Sequence, residues 1–204
     1  MKILKRNFFE RDTLLVAREL LGNKLVRRYK GRRISGIVIE TEAYLGTDDS
    51  ASHPFKGKTR RNQVMFGPAG IAYVYFVYGM HYLFNVVTEE TNNPCAVLLR
   101  AVMPLQGQHH MERLRGKRGK ELTNGPAKLC QAMAIDVSLN GWDLTRGEKL
   151  WFENVKTVPE NFICTGPRIG IDYAAKKDRE AHRRFWVQKE FIAHMREDSP
   201  YEIY

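Results

Sequence analysis

Behind Asp12, apolar side chains return at helical spacing: Leu14, Leu15, Ala17 and Leu21 share a run with Arg18, and Gly22 follows as a stop. Residues three to four apart lie on one helix face, so this pattern predicts a helix over residues 13–21 capped by Asp12. The period then shortens toward two. Residues 24–29 and 33–42 read as strands around Lys30-Gly31-Arg32, and residues 71–77 and 81–88 as a second pair joined through Tyr78-Gly79-Met80. Residues 96–102 form a further apolar strand. Gly125-Pro126 opens a helix through Met133, residues 176–184 read as an exposed helix, and Gly67-Pro68-Ala69-Gly70 is a turn. Gly116-Lys117-Arg118-Gly119-Lys120 reads as a basic loop. With no internal repeat and no low-complexity linker, the expectation is one α+β domain over residues 1–204, with a mostly antiparallel sheet and peripheral helices.

Composition narrows the class. A chain of 204 residues with 43% hydrophobic side chains can bury a core unaided, which excludes a disordered or fibrous protein. No apolar run approaches the roughly 18 residues of a membrane span, and the start lacks a secretory segment, so an intracellular protein is expected. Cys95, Cys130 and Cys164 are odd in number and far apart, which points to buried thiols rather than a disulfide framework or zinc knuckle. Charge says more. The formal net charge is +10, and all of the excess lies in the first 150 residues. From Ser50 to Thr88 there is no carboxylate in 39 residues, yet that stretch holds Lys56, Lys58, Arg60, Arg61, His53, His81 and 8 of the 22 aromatic residues. Cations interleaved with aromatic faces suit a phosphate backbone and unstacked bases, although several of these rings are expected in the core.

The candidate chemistry begins where Ile37-Val38-Ile39 runs into Glu40-Thr41-Glu42. Carboxylates two apart on a strand share a face, so Glu40 and Glu42 are expected to be neighbours. With Asp48 and Asp49 close behind, three readings stand: a carboxylate site for Mg²⁺ as in nucleases, a single Glu acting as a base on water, or acids that meet solvent or a salt-bridge partner. No nucleophile triad, phosphate-binding loop or zinc-protease helix motif is present.

Longer strings then carry a resemblance. Glu40-Thr41-Glu42-Ala43-Tyr44-Leu45-Gly46, Arg61-Asn62 with Met65-Phe66, and Tyr73-Val74-Tyr75-Phe76-Val77-Tyr78-Gly79-Met80 come first. Val97-Leu98-Leu99-Arg100-Ala101, the run from Asn124 to Ala132, and Pro167-Arg168-Ile169-Gly170-Ile171 follow in order. Together, from about Phe8 to Val187, the chain resembles the alkyladenine (3-methyladenine) DNA glycosylase family. That likeness implies hydrolysis of the N-glycosidic bond of damaged purines in double-stranded DNA, leaving an abasic site. The implied substrates are 3-methyladenine, 7-methylguanine, hypoxanthine and ethenoadenine, acted on by a metal-free and cofactor-free monomer with a DNA-inserting β-hairpin on a curved sheet. By resemblance, Glu42 corresponds to the carboxylate that activates water, Arg100 to the arginine that shares that water, and the backbone of Ile169, Gly170 and Ile171 to a further water contact. Tyr44, His53 and Tyr75 match residues enclosing the flipped base, Tyr78 the tyrosine that enters the duplex, and Asn85 the asparagine that crowds the 2-amino group of guanine. Lys56, Lys58, Arg60, Arg61, Met80 and His81 are candidates for the DNA backbone. The chain departs from the family pattern at His81, where an aromatic residue is usual, and in a lengthened loop over residues 86–95. A protein that flips bases without cutting, and a Mg²⁺ nuclease using Glu40, Glu42, Asp48 and Asp49, remain the alternatives.

Overall fold

A computed structural model describes residues 2–197. Its strands are β1 (Lys2–Ile3), β2 (Lys24–Tyr29), β3 (Arg32–Tyr44), β4 (Ala72–Val77), β5 (His81–Thr88), β6 (Cys95–Gln106), β7 (Leu150–Asn154), β8 (Ile163–Gly166) and β9 (Arg184–Val187). The helices are α1 (Arg6–Phe9), α2 (Thr13–Glu19), α3 (Gln108–Arg115), α4 (Pro126–Ala132), α5 (Lys176–Arg179) and α6 (Lys189–Glu197). All nine strands join one antiparallel sheet in the order β1-β7-β2-β3-β6-β5-β4, with β9 added beside β3 and β8 beside β9. The result is the α+β architecture with an antiparallel sheet that the patterning predicts, curved as the resemblance implies. No helix among the described residues is long and apolar enough to cross a membrane.

The long strand β3 organises the rest. Its first half pairs with β2 and its residues from Ser35 to Tyr44 with β6, while Glu40–Glu42 take β9 as a second neighbour. The β3–β6 register slips on both sides of Glu40. Such irregularities re-aim side chains, and here they turn β3 at the point where its carboxylates begin. Strand alternation then divides the sheet. Val74 of β4, Phe84 and Val86 of β5, and Val97 and Leu99 of β6 enter the main core with Val16, Ala17 and Leu20 of the α2 segment and Leu129 of α4. Thr41 follows the same face and donates to the Ala17 carbonyl at 2.8 Å. Asp12 caps α2 by accepting from the Leu15 N–H, as its position predicts.

Two expectations fail locally. The exposed helix over residues 176–184 stops at Arg179, because Asp178 is drawn inside to accept from the Ser50 N–H and hydroxyl and to meet Arg183. From Arg184 the chain is β9, whose alternating Phe185 and Val187 bury against the core, something a continued helix could not do. Among the thiols Cys95 and Cys130 are buried, but Cys164 is only half-buried, on the two-strand extension β8–β9 where fewer side chains pack.

Candidate active site

The other side chains of the same strands line one cavity of about 560 Å³. Tyr44 comes from β3, Tyr73, Tyr75 and Val77 from β4, Leu83 and Asn85 from β5, and Ala96, Leu98 and Arg100 from β6. Each set is spaced by two, so the face opposite the core supplies the wall without any special device. Loops complete it with Ser52, His53, Arg61, the start of α4 at Gly125–Lys128, and Ile169–Ile171.

Glu42 is fully buried behind this wall, where Tyr44, Arg100 and Ile169, which do line the cavity, surround it with donors. Its Oε1 accepts from the Ile169 N–H at 2.9 Å and faces Arg100 Nη1 at 3.1 Å, while its Oε2 accepts from the Tyr44 hydroxyl at 2.9 Å. Burial raises its pKa above the ordinary carboxylate value, with Arg100, the Ile169 N–H and the Tyr44 hydroxyl pulling back in that order. The outcome is an ionisable acid with unusual basicity, poised to take a proton. Glu40 and Glu42 do share a face, but Arg100 stands between them: its Nε donates to Glu40 at 2.9 Å, and Arg184 adds a second contact to Glu40 at 3.1 Å. Asp48 is exposed, and buried Asp49 is spent on Arg168 and on the Leu45 and Ala51 N–H groups. The four acids therefore do not converge, and among the described residues no cluster of three His, Cys, Asp or Glu side chains is set to hold a metal.

The aromatic wall is anchored from behind. Buried Arg168 grips Asp49 through both terminal nitrogens, donates to the Ala43 carbonyl at 2.9 Å and sits 4.6 Å from the Tyr44 ring centroid. One guanidinium thus ties the residue before Tyr44, the Tyr44 ring and the loop carrying the Ile169 N–H. His53 packs edge-on against Tyr75 at 4.5 Å, and its Nδ1 lies 2.7 Å from the Tyr73 hydroxyl. Burial first, and Arg61 second, lower the His53 pKa to about 4, so the ring is neutral near pH 7. Asn85 is buried on the wall and donates to the Tyr73 carbonyl at 3.2 Å. It combines a lining position with a backbone contact in the sheet.

The β4–β5 hairpin rises from the cavity edge. Tyr78 and Gly79 both hold positive φ, 53° and 67°, and the Met80 N–H closes the turn on the Val77 carbonyl at 3.3 Å. A left-handed Tyr costs roughly 1–2 kcal/mol, a local strain that sets its ring at the tip, where it is 83% exposed. Met80 and His81 are exposed beside it, as are Lys56, Lys58 and Arg60 on the neighbouring loop. Arg61 is also exposed but is engaged within the chain, by the Phe76 carbonyl at 3.2 Å and the Tyr75 ring at 5.1 Å. The loop after β5 lies at the far end of that strand, where Glu89 is fastened to the Thr13 N–H and hydroxyl of α2, so it leaves the hairpin tip untouched.

Sequence reading missed the supporting layer. Arg168 was visible only as a member of a longer string, and Tyr73, Tyr173 and Lys128 not as wall residues at all. Alternation with Tyr75 was the available signal for Tyr73. Nothing local marks Tyr173, which is exposed by 71% and hydrogen-bonds the Ala51 carbonyl at 3.0 Å.

The family model described as methylpurine-DNA glycosylase (MPG) matches residues 7–191. A provisionally named 3-methyladenine DNA glycosylase of Carboxydothermus hydrogenoformans is 51% identical over 171 residues, covering 83% of this chain and 89% of its own. Proteins given the same provisional name in Desulfitobacterium hafniense and Methanocella arvoryzae are 46% and 47% identical, covering 92% and 86% of this chain and 96% and 88% of their own.

Proposed function

Because the chain belongs to the methylpurine-DNA glycosylase family, we propose that its cavity takes up a damaged purine turned out of duplex DNA and that Glu42 directs water onto the sugar carbon. The enzyme is a DNA N-glycosylase of DNA repair. Our reading extends its substrates beyond methylated purines to hypoxanthine and ethenoadenine, with an abasic site as product, one copy of the chain per lesion and no lyase step.

The observation that carries this reading is a buried, basic carboxylate held by three donors, Tyr44, Arg100 and Ile169, that themselves line an aromatic cavity. A purine inside a duplex hides its glycosidic bond, so it must leave the stack to be cut. Tyr78 at the strained tip is the side chain that fills the vacated space, and Tyr44, Tyr75 and His53 enclose the extruded base. The C1′–N9 bond breaks with its electron pair passing to the purine, and the sugar carbon becomes positive. Water adds to that carbon and gives its proton to Glu42, whose charge also stabilises the developing cation. Arg100 and the Ile169–Ile171 backbone orient the carboxylate and its water. Asn85 excludes guanine by occupying the space of its 2-amino group. Lys56, Lys58, Arg60, Met80 and His81 meet the DNA backbone.

The test is a panel of duplexes, each with one lesion, scored for free base under single turnover with and without excess chelator. Release of free purine that chelator does not affect supports the proposal. Strand scission that chelator abolishes would establish a metal nuclease, and tight binding without release a damage reader.

A further inference from the structure

Arg61 is a cation built into the wall of the base cavity. Its Nη2 donates to the Phe76 carbonyl at 3.2 Å, and its guanidinium lies 5.1 Å from the Tyr75 centroid. The other Arg and Lys on this wall have carboxylate partners, Arg100 with Glu40 and Glu42 and Lys128 with Glu121, whereas among the described residues no carboxylate pairs with Arg61. Its charge bears on the cavity: after burial it is the other cause holding His53 neutral, and it opposes the burial and the neighbouring Tyr73 and Tyr173 hydroxyls that raise the pKa of Tyr75.

Cleavage of the C1′–N9 bond makes the purine one unit more negative whatever charge it began with. A cationic alkylpurine leaves neutral, and a neutral lesion leaves as an anion that takes a proton from water. A fixed cation on the base side gains energy as the bond breaks, just as an anion on the sugar side does, and only such differential contacts raise the chemical rate. Resting on the glycosylase reading above, we propose that Arg61 is the leaving-group cation of this site, set on the cavity wall against Tyr75 to draw the bond electrons into the purine while Glu42 serves the sugar. It acts through space and positions charge rather than touching the reacting atoms.

A base stacked on the opposite face of Tyr75 would lie roughly 8–9 Å from the guanidinium, a separation that predicts a rate effect of about five- to thirtyfold for one unit of charge at effective dielectric constants of about 20–40. The experiment is Arg61→Gln, with Arg61→Lys beside it, at saturating enzyme under single turnover on duplexes carrying 7-methylguanine or hypoxanthine. NMR titration of His53 in the free proteins accompanies it. Arg61→Gln should slow both lesions by that factor and raise the His53 pKa above about 4, while Arg61→Lys keeps most of the rate. An unchanged rate at saturation, with weaker binding to every duplex and a salt slope reduced by about one, would make Arg61 a phosphate contact and overturn the proposal. Equal losses in Gln and Lys would overturn it in favour of packing, and an unmoved His53 would remove the field itself. If the wild type releases no purine while His53 still responds, it is the glycosylase reading that falls, and the leaving-group role falls with it.

Discussion

Glu42→Gln tests the core of the mechanism because the replacement fits the same hydrogen bonds. The amide oxygen can keep the Ile169 N–H and face Arg100, and the amide N–H can donate to Tyr44 once that hydroxyl turns from donor to acceptor. Shape survives, while the proton acceptor and the negative charge are lost. Excision should fall by about 10²–10⁴-fold, or roughly 3–5 kcal/mol in the barrier, with binding to lesion duplexes retained. Stability should move the other way. Burial raises the Glu42 pKa in the folded chain, so the ionised group costs stability above that pKa, and the cost disappears as acidification protonates it. The glutamine variant should therefore melt at or above the wild type at neutral pH, with the difference narrowing as pH falls through the folded pKa. Single-turnover base release, a binding isotherm and melting curves across pH supply the three readouts. Near-normal excision by the variant would refute the assignment and direct attention to Glu40, and a large loss of stability would show that the three donors need a charged partner.

Tyr78→Ala should shift the extrusion equilibrium back toward the stacked base, seen as a smaller signal from a fluorescent base analogue, and should slow duplex substrates more than single strands; equal losses on both would mark Tyr78 as a pocket ring. Asn85→Ala or Asn85→Ser should release unmodified guanine, best from mismatches where extrusion costs least, while hypoxanthine removal continues; guanine release that stays at the wild-type level in a folded, active variant would remove Asn85 as the gate. Arg168→Met leaves buried Asp49 with Arg183, at 3.4 Å, as its remaining cation and should cost about 3 kcal/mol in chemical denaturation, whereas the double change with Asp49→Leu should recover much of that loss; additive losses would mean that the pair is not coupled.

The sheet was legible because its strands obey a period of two, and the same period that sends Val97 and Leu99 to the core sends Leu98 and Arg100 to the cavity. Glu42 could be picked out as an acid ending an apolar run. Its neighbours could not, because Ile169 is 127 positions away and reaches Glu42 through a backbone N–H, which carries no side-chain signature. Residues 176–184 misled for a related reason. Their charges read as a solvated helix, but Asp178 is spent on Ser50, 128 positions earlier, and only that contact explains why the chain turns inward and continues as β9. Arg61 looked like one more cation in a basic stretch, and only the fold brings it over the ring of Tyr75.

Two buried carboxylates seven positions apart show how environment rather than residue type divides the labour. Asp49 is also removed from water, which alone would raise its pKa, but Arg168 grips it through two nitrogens, the Leu45 and Ala51 N–H groups add to that grip, and its pKa falls below the ordinary value. Such a group stays ionised and has little tendency to take a proton, so it serves as the counter-charge that fixes Arg168 against the ring of Tyr44. Glu42 has no cation of its own. Arg100 gives its Nε to Glu40 and only a terminal nitrogen to Glu42, and Glu40 is further occupied by Arg184. The shared arginine keeps Glu42 oriented without cancelling its basicity, and burial then prevails and moves its pKa upward. Strengthening the Arg100–Glu42 contact would trade that basicity for stability, and Glu40→Gln, which releases Arg100 toward Glu42, would be the change that does so.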